Sequence, residues 1–389
     1  MYSMTRFSEL LKLFPKTSFD RHVKESKADH YVKNFKSWDL LVTMLYGQIT
    51  QAKSLRRLVD GFNTHKTTHY HLNTKACKRS TISDSLSQRS VEPFKQVCNL
   101  LIQQVSRQDR KQCKEFVSII DSTPIRLVGQ GYEWTEEWKN MKEQGLKLHL
   151  ELDGYSNTPN YANITRSNVN DITDAKNNIR IKTGTTYIMD KAYLDYNWWH
   201  EINQKGAYFV TRIKSNTAYK VVDELQVTDT TWVISDQVIQ FKSKHPGGKR
   251  INKYYGQNLR LVTIHRTDKA PMSIITNDFR PSASQIGQLY KDRWQIELFF
   301  KWIKQKLKLK SFFGRTENAV KLQIYSALIA FLLMRKLKQI SKSWNSMLEL
   351  QTWLQHGLFV RDSINTQYYQ RRKQKQKLIN ELQKTLEFT

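Results

Sequence analysis

The stretch of sequence that decides the fold is residues 290–304, YKDRWQIELFFKWIK. Its apolar residues recur every three or four positions, which predicts an α-helix. One narrow face of that helix carries a single carboxylate among polar and cationic side chains: Tyr290, Arg293, Glu297, Lys301 and Lys304. A glutamate held among cations in this way can bind a divalent metal beside a phosphate backbone.

Apolar side chains flank both sides of this face. One flank holds Ile296, Phe300, Ile303 and Leu307, and the other holds Trp294, Leu298 and Trp302. The pattern predicts a helix that packs on both flanks and opens its polar stripe to a cleft.

The composition favours a globular protein that binds a polyanion. The 389 residues are enough for two or three domains, and no apolar run reaches membrane-spanning length. The N-terminus lacks a signal-peptide pattern and only three cysteines are present, so we expect a cytoplasmic protein that does not bind membrane. Lys and Arg total 63 against 35 Asp and Glu, a net charge of +28, which favours nucleic acid as partner.

Apolar spacing predicts helices through residues 1 to about 110. Within this region, residues 77–89 (CKRSTISDSLSQR) predict a short helix capped by Ser80 or Thr81, with Arg79 and Arg89 at its ends. This segment is either a DNA-reading helix or a solvated connector between core helices, and the sequence favours neither.

Strands dominate the middle of the chain. Residues 116–121 and 187–190 are short apolar runs that each end on an aspartate, and strict alternation over 146–152 predicts a half-exposed strand. Further strands are predicted over 217–278. Helices follow from 317 to about 358, and a basic tail covers 368–377.

Three carboxylates from distant parts of the sequence are the candidate catalytic residues: Asp121, Asp190 and Glu297. Taken singly, the two aspartates read as turn residues, and Glu297 reads as a helical ion-pair partner of Arg293. Taken together, they form an oxygen-ligand set that suits two Mg²⁺ ions, with Mn²⁺ as a substitute, and such a pair activates the attacking and leaving oxygens of a phosphodiester.

These features resemble the insertion-sequence-four family of DDE transposases. The resemblance rests on the order of the three acids, the segment DKAY at 190–193, and the spacing of Tyr290, Arg293, Glu297 and Lys304. It implies a ribonuclease H-like mixed sheet flanked by helices, with a β-rich insertion, an all-α N-terminal domain and a helical C-terminal region.

The implied domains are a helical DNA-end-binding domain (1–110), the first part of the catalytic domain (111–216), the β-rich insertion (217–278), the catalytic helix with the end of the catalytic domain (279–330), and a helical C-terminal region with the basic tail (331–389).

The resemblance also implies a mechanism. Asp121, Asp190 and Glu297 bind two Mg²⁺ ions, water cleaves a phosphodiester at the transposon end, and the freed 3′-hydroxyl attacks the target. Tyr290, Arg293 and Lys304 contact DNA phosphate. Beyond the family signature, we predict DNA contacts by four further cations: Lys191, Arg212, Arg79 and Arg89.

The predicted function is cut-and-paste transposition. A homodimer binds the inverted repeats of its own element in a synaptic complex and joins these ends of double-stranded DNA to target DNA. Two alternatives remain at this point: an inactive transposase-derived repressor that only binds DNA, and a metal-dependent nuclease without strand transfer.

Overall fold

A computed structural model of the chain describes residues 4–110, 116–127, 129–138, 145–246, 249–267, 269–307, 311–341, 344, 346–361 and 377. The chain divides into two compact units. The first comprises residues 1–105, 129–134 and 302–389, and the second comprises 106–128 and 135–301. Each unit is described by itself.

The first unit is helical. Its N-terminal helices are α1 (Arg6–Lys12), α2 (Lys16–Glu25), α3 (Ser37–Ile49), α4 (Leu55–Thr64), α5 (Arg79–Gln88) and most of α6 (Glu92–Arg110), and its C-terminal helices are α11 (Glu317–Ser341) and α12 (Met347–Gly357). α11 is the central element, because it is buried along most of its length and packs against α1, α3, α5 and α12. The predicted all-α N-terminal region is therefore confirmed.

The second unit is built on one sheet of nine strands in the order β3-β2-β1-β4-β5-β9-β8-β7-β6. The strands are β1 (Phe116–Arg126), β2 (Gly145–Asp153), β3 (Pro159–Arg166), β4 (Thr185–Met189), β5 (Tyr208–Arg212), β6 (Tyr219–Glu224), β7 (Val233–Phe241), β8 (Leu259–Arg266) and β9 (Lys269–Thr276). The helices are α7 (Asp171–Asn178), α8 (Tyr196–Gln204), α9 (Ala283–Asp292) and α10 (Trp294–Lys306), whose last turns belong to the first unit.

The first five strands have the arrangement of a ribonuclease H-like fold. β1, β2 and β3 are antiparallel neighbours, whereas β4 and β5 run parallel to β1. The fold-class prediction is confirmed. The predicted β-rich insertion, residues 217–278, contains β6 to β9. These strands continue the same sheet, because β9 pairs antiparallel with β5, β8 pairs with β9, β7 with β8 and β6 with β7.

The strand that carries Asp121 and the helix that carries Glu297 each differ in detail from the prediction. Asp121 does not end its strand, because β1 continues to Arg126 on its ladder with β2. The predicted single helix over 290–304 is two helices that meet at Arg293, where hydrogen bonds to the third residue back tighten the turn.

The flanks of α10 also differ from the prediction. Ile296, Phe300, Ile303 and Leu307 are buried as expected. Trp294 and Leu298 are more than half exposed, so the helix packs on one flank only over its first turns.

The polar face of β2 is buried, although the alternation in its sequence predicts exposure. His149 and Glu151 are each only 3% exposed. Alternation identifies which residues share a face, but it does not show whether another element covers that face. Here His149 lies close to α7, which supplies polar partners.

No helix among the described residues is long and apolar enough to cross a membrane. The predicted basic tail lies outside the described residues, except Lys377.

The turn into β2 requires glycine at one position. Gly145 has a φ of +137°, and a Cβ built there would overlap the carbonyl oxygen of Ile125 on β1. We expect Gly145→Ala to lower the free energy of unfolding by more than about 3 kcal/mol, since strain and backbone overlap add. Urea unfolding of the purified variant measures this loss.

Gly184→Ala is the matched control. Gly184 also has a positive φ, +72°, but a Cβ there has open space around it. We expect a loss of only about 1 to 2 kcal/mol. Equal losses in the two variants would contradict the role of the contact with Ile125.

Candidate active site

Asp121 and Asp190 lie side by side because of the parallel ladder between β1 and β4. The last pair of that ladder is Ile120 with Met189, so each aspartate is the next residue on its own strand. β4 ends there, whereas β1 continues. Neighbouring strands are about 4.8 Å apart, so the two aspartates occupy neighbouring positions on the sheet.

Arg293 links Glu297 to Asp121. The Nη2 of Arg293 donates to Glu297 Oε1 at 2.6 Å, and its Nη1 lies 3.3 Å from Asp121 Oδ2. The arginine is at the joint between α9 and α10, and Glu297 is one helical turn later. The structure thus brings together the three acids predicted from the sequence, with Arg293 between two of them.

Burial raises the pKa of Asp121 from its ordinary value of 3.8 to about 6. The backbone N–H of Ser122 and the charge of Arg293 lower the pKa, whereas the charges of Asp190 and Glu297 raise it. The carboxyl of Asp121 is therefore costly to ionise while no metal balances the charge of its neighbours.

Burial lowers the pKa of Arg293, but its hydrogen bond to Glu297 and the nearby charges of Tyr290, Asp121 and Glu297 outweigh that effect and raise the pKa. Arg293 therefore remains charged. Its guanidinium forms ion pairs with both Asp121 and Glu297.

Three more residues predicted to contact DNA lie near the acids. Tyr290 is buried, which raises the pKa of its hydroxyl, while Arg293 and Arg212 lower that pKa and Asp190 raises it. Arg212, at the end of β5, therefore lies close to Tyr290. Lys191 is exposed, and its backbone N–H donates to the carboxylate of Asp190.

The remaining predicted DNA contacts lie in the first unit. Lys304 is seven residues after Glu297 on α10, which places it on the same helical face two turns later. Arg79 is exposed at the start of α5. Arg89 is buried, and its guanidinium donates to the carbonyls of Ala28 and Phe35 and pairs with Asp29. Arg89 thus holds the helical unit together, and its guanidinium is not available to a DNA contact.

The segment 77–89 forms the predicted helix, α5, with Ser83, Ser87 and Gln88 exposed. The predicted caps are wrong, because the helix begins one residue before Ser80 and Lys78 precedes it without a side-chain cap.

The donor set of the acids fits divalent metal ions by its chemistry. Carboxylate oxygens are the ligands that Mg²⁺ and Mn²⁺ prefer. Within the part of the chain that the structure describes, no three His, Cys, Asp or Glu side chains are already gathered as a metal site.

The sequence did not reveal Ser122, Lys147, His149 and Asp171, which form a polar network next to Asp121. The one available signal was the alternation of polar residues along β2, which predicted a solvated face.

A ribonuclease H-like sheet that gathers three acids defines a class of enzymes that cut and join nucleic-acid strands. Comparison with protein families agrees. Residues 112–333 match the family described as the transposase DDE domain, and the chain belongs to this family. Residues 3–75 match a domain of unknown function, DUF4372.

Known relatives carry the same assignment. The chain is 37% identical to a putative transposase, y4zB, of Sinorhizobium fredii over 73% of this chain and 78% of that protein. It is 25% identical to a probable transposase for insertion sequence element IS5377 of Geobacillus stearothermophilus, over 80% of this chain and 78% of that protein. A putative transposase for insertion sequence element IS4SA of Synechocystis is 24% identical, over 71% and 76%. The predicted family membership is confirmed.

Because the pKa of Asp121 is raised, we expect the variant Asp121→Asn to have a larger free energy of unfolding than wild-type protein at high pH but not at low pH. Because the folded-state pKa of about 6 exceeds 3.8, wild-type protein loses stability as pH rises through this interval. At pH 8 without divalent metal, we expect the variant to be more stable by about 2 to 3 kcal/mol. Near pH 4 the difference should disappear. Urea unfolding at the two pH values measures both.

Glu201→Gln is the control for removing a carboxylate. Glu201 is about half exposed and pairs with Lys205 on the surface of α8. Its substitution should change stability by less than about 0.5 kcal/mol at either pH. An Asp121→Asn variant that is less stable than wild type at pH 8 would show that burial does not oppose the charge of Asp121.

Proposed function

We propose that this protein is the transposase of an insertion sequence, which binds the terminal inverted repeats of its element and carries out metal-dependent cleavage and strand transfer. The convergence of Asp121, Asp190 and Glu297 supports this proposal, because three acids at one point need a cationic partner. Membership of the transposase DDE family gives the broader activity, action on DNA in transposition.

Asp121, Asp190 and Glu297 hold two Mg²⁺ ions in this proposal, and Mn²⁺ substitutes for them. Such ions, when bound, activate the attacking oxygen and stabilise the leaving oxygen of a phosphodiester. The role of the fold is to hold the three carboxylates in fixed positions and directions. The two aspartates are set by adjacent strands and Glu297 by the first turn of α10.

Residues around the acids orient the DNA. The guanidinium of Arg293 can grip two phosphate oxygens in a fixed fork once it releases Asp121 or Glu297. The ring of Tyr290 lies beneath it, 5.9 Å from the guanidinium carbon. Lys191, Arg212 and Lys304 supply further positive charge to the phosphate backbone in this proposal.

The helical unit binds the transposon ends in this proposal. A shallow groove between α4 and α5 is lined by Ser54, Leu55, Arg56, Arg79, Ser80, Ser83 and Asp84. The exposed cations Lys53, Arg57 and Lys78 are sequence neighbours of its lining residues. Clustered, exposed cations beside small polar side chains suit a phosphate backbone.

The active assembly in this proposal is a homodimer that pairs two transposon ends in a synaptic complex, excises them and joins them to target DNA. It acts in the cytoplasm, where the DNA of a prokaryotic-type element lies. An assay for joined product separates this function from a nuclease, which would cleave an end but leave a free 3′-hydroxyl unjoined.

Alanine at Asp121, Asp190 or Glu297 should abolish nicking of transposon-end DNA, because each change removes a proposed metal ligand. We expect a loss of more than about 1,000-fold in cleavage rate with Mg²⁺, and unchanged DNA-end binding in a gel-shift assay. Glu201→Ala should cleave at the wild-type rate. Cleavage that survives in all three variants would overturn the proposed active site.

The double variant Arg56→Ala/Arg79→Ala should weaken binding to transposon-end DNA and reduce its salt dependence. Each lost phosphate contact lowers the slope of log affinity against log salt by about 0.9, so we expect a decrease near 2. Fluorescence anisotropy at several salt concentrations measures the slope.

Arg21→Ala is the control for this experiment. Arg21 is an exposed arginine of the same helical unit, and it pairs with Glu25 on α2. Its removal should leave the slope unchanged. If the control and the double variant weaken binding equally, general charge rather than the groove would account for the DNA affinity.

A further inference from the structure

A buried polar network lies next to the proposed metal ligand Asp121. Ser122 follows Asp121 on β1, and its backbone N–H donates to Asp121 Oδ1 at 2.8 Å. Its hydroxyl donates to Asp171 Oδ1, at the start of α7, at 2.7 Å. Successive side chains of a strand point to opposite faces, so the side chain of Ser122 lies on the sheet face opposite that of Asp121. On that face, Ser122 connects β1 to α7.

The network spans three strands in register. Ser122 pairs with His149 on β2, and His149 pairs with Asn163 on β3, which places these polar side chains in one row on one face. α7 presents a matching polar stripe to this row, with Asp171, Asp174 and Asn178 at spacings of three and four residues.

The carboxylates of α7 are held from several sides. Lys147 Nζ lies 2.9 Å from Asp171 Oδ1. Asp174 is 2% exposed on its side chain and accepts hydrogen bonds from Asn163 at 2.7 Å and from Tyr161 at 3.0 Å. The ring of His149 lies between the two carboxylates, with Nδ1 3.7 Å from Asp171 and 3.8 Å from Asp174.

The stability of the sheet does not explain this network. Apolar side chains at a helix–sheet contact stabilise a fold at least as well as buried charges, which lose hydration. A polar network instead favours one relative position of its members, because a displaced donor or acceptor loses its partner. The position that it fixes here is that of the strand segment carrying Asp121.

We propose that Asp171 and Ser122 are positioning residues that fix Asp121 for metal binding. Asp171 holds the hydroxyl of Ser122, and the backbone N–H of Ser122 holds a carboxylate oxygen of Asp121. Lys147 holds Asp171 in place through their ion pair. This inference rests on the proposed function, because it assigns Asp121 to a divalent metal.

Ser122→Ala tests the proposal through metal binding itself. Partners that orient metal ligands typically change metal affinity by about 10- to 100-fold. We expect the Kd for Mn²⁺, measured by electron paramagnetic resonance on the full chain without DNA, to rise about 10-fold. The Mg²⁺ concentration for half-maximal nicking should rise in parallel, while DNA-end binding is unchanged. Ser122→Thr retains the hydroxyl and should restore the wild-type Kd.

Ser118→Ala is a matched control on the same strand and face. The hydroxyl of Ser118 donates to Glu151 Oε1 at 2.7 Å, the same length as the bond from Ser122 to Asp171. Ser118 precedes Asp121 by three residues and does not contact α7 through this bond. The control should lower the melting temperature comparably and leave the Kd for Mn²⁺ within about twofold of wild type.

The outcomes separate this inference from the proposed function. A Ser122→Ala variant within twofold of wild type, or an equal weakening by Ser118→Ala, would overturn the positioning role while the metal site stands. If wild-type protein binds no Mn²⁺, or if Asp121→Ala binds it unchanged, the metal site fails and the inference fails with it.

Discussion

The proposed active site depends on the mutual repulsion of three carboxylates and on the cation that balances it. Asp121, Asp190 and Glu297 are brought together by elements that have other reasons to form: two parallel strands of the central sheet and an amphipathic helix. The folding of those elements also buries Asp121, and burial first, with the charges of Asp190 and Glu297 added to it, raises the pKa of Asp121 to about 6. Arg293 bonds to two of the acids and reduces their repulsion.

In the proposed mechanism, the contacts of Arg293 depend on whether a phosphate or a metal ion is bound at the site. Arg293 reaches Asp121 and Glu297 from the joint between α9 and α10. In that mechanism, a phosphate or a metal ion competes with these two contacts. An arginine that leaves a carboxylate for a phosphate moves positive charge onto the substrate. It also frees the carboxylate for a metal, so binding of DNA and binding of metal favour one another in the proposed mechanism.

The signals for the three acids and for the helix that carries Glu297 are local in the sequence. Helical spacing alone places Arg293, Glu297 and Lys304 on one face, and an apolar run that ends on an acid marks Asp121 and Asp190. The sequence could not show which faces are covered. β2 alternates as a solvated strand does, yet its polar face is buried. Trp294 and Leu298 are apolar, yet more than half exposed. Arg89 carries the positive charge expected of a DNA contact. Its guanidinium is nevertheless buried and donates to the carbonyls of residues that are far away in sequence.

These departures share one physical cause. A local sequence pattern determines the direction of a side chain, whereas the element that packs against that side chain comes from another part of the sequence. For β2 that partner is α7, whose polar stripe matches the polar row of the sheet. The two polar patterns look like two solvated surfaces when they are considered separately. Together they form a buried contact beside Asp121, which makes α7 part of the proposed catalytic apparatus although it supplies no metal ligand.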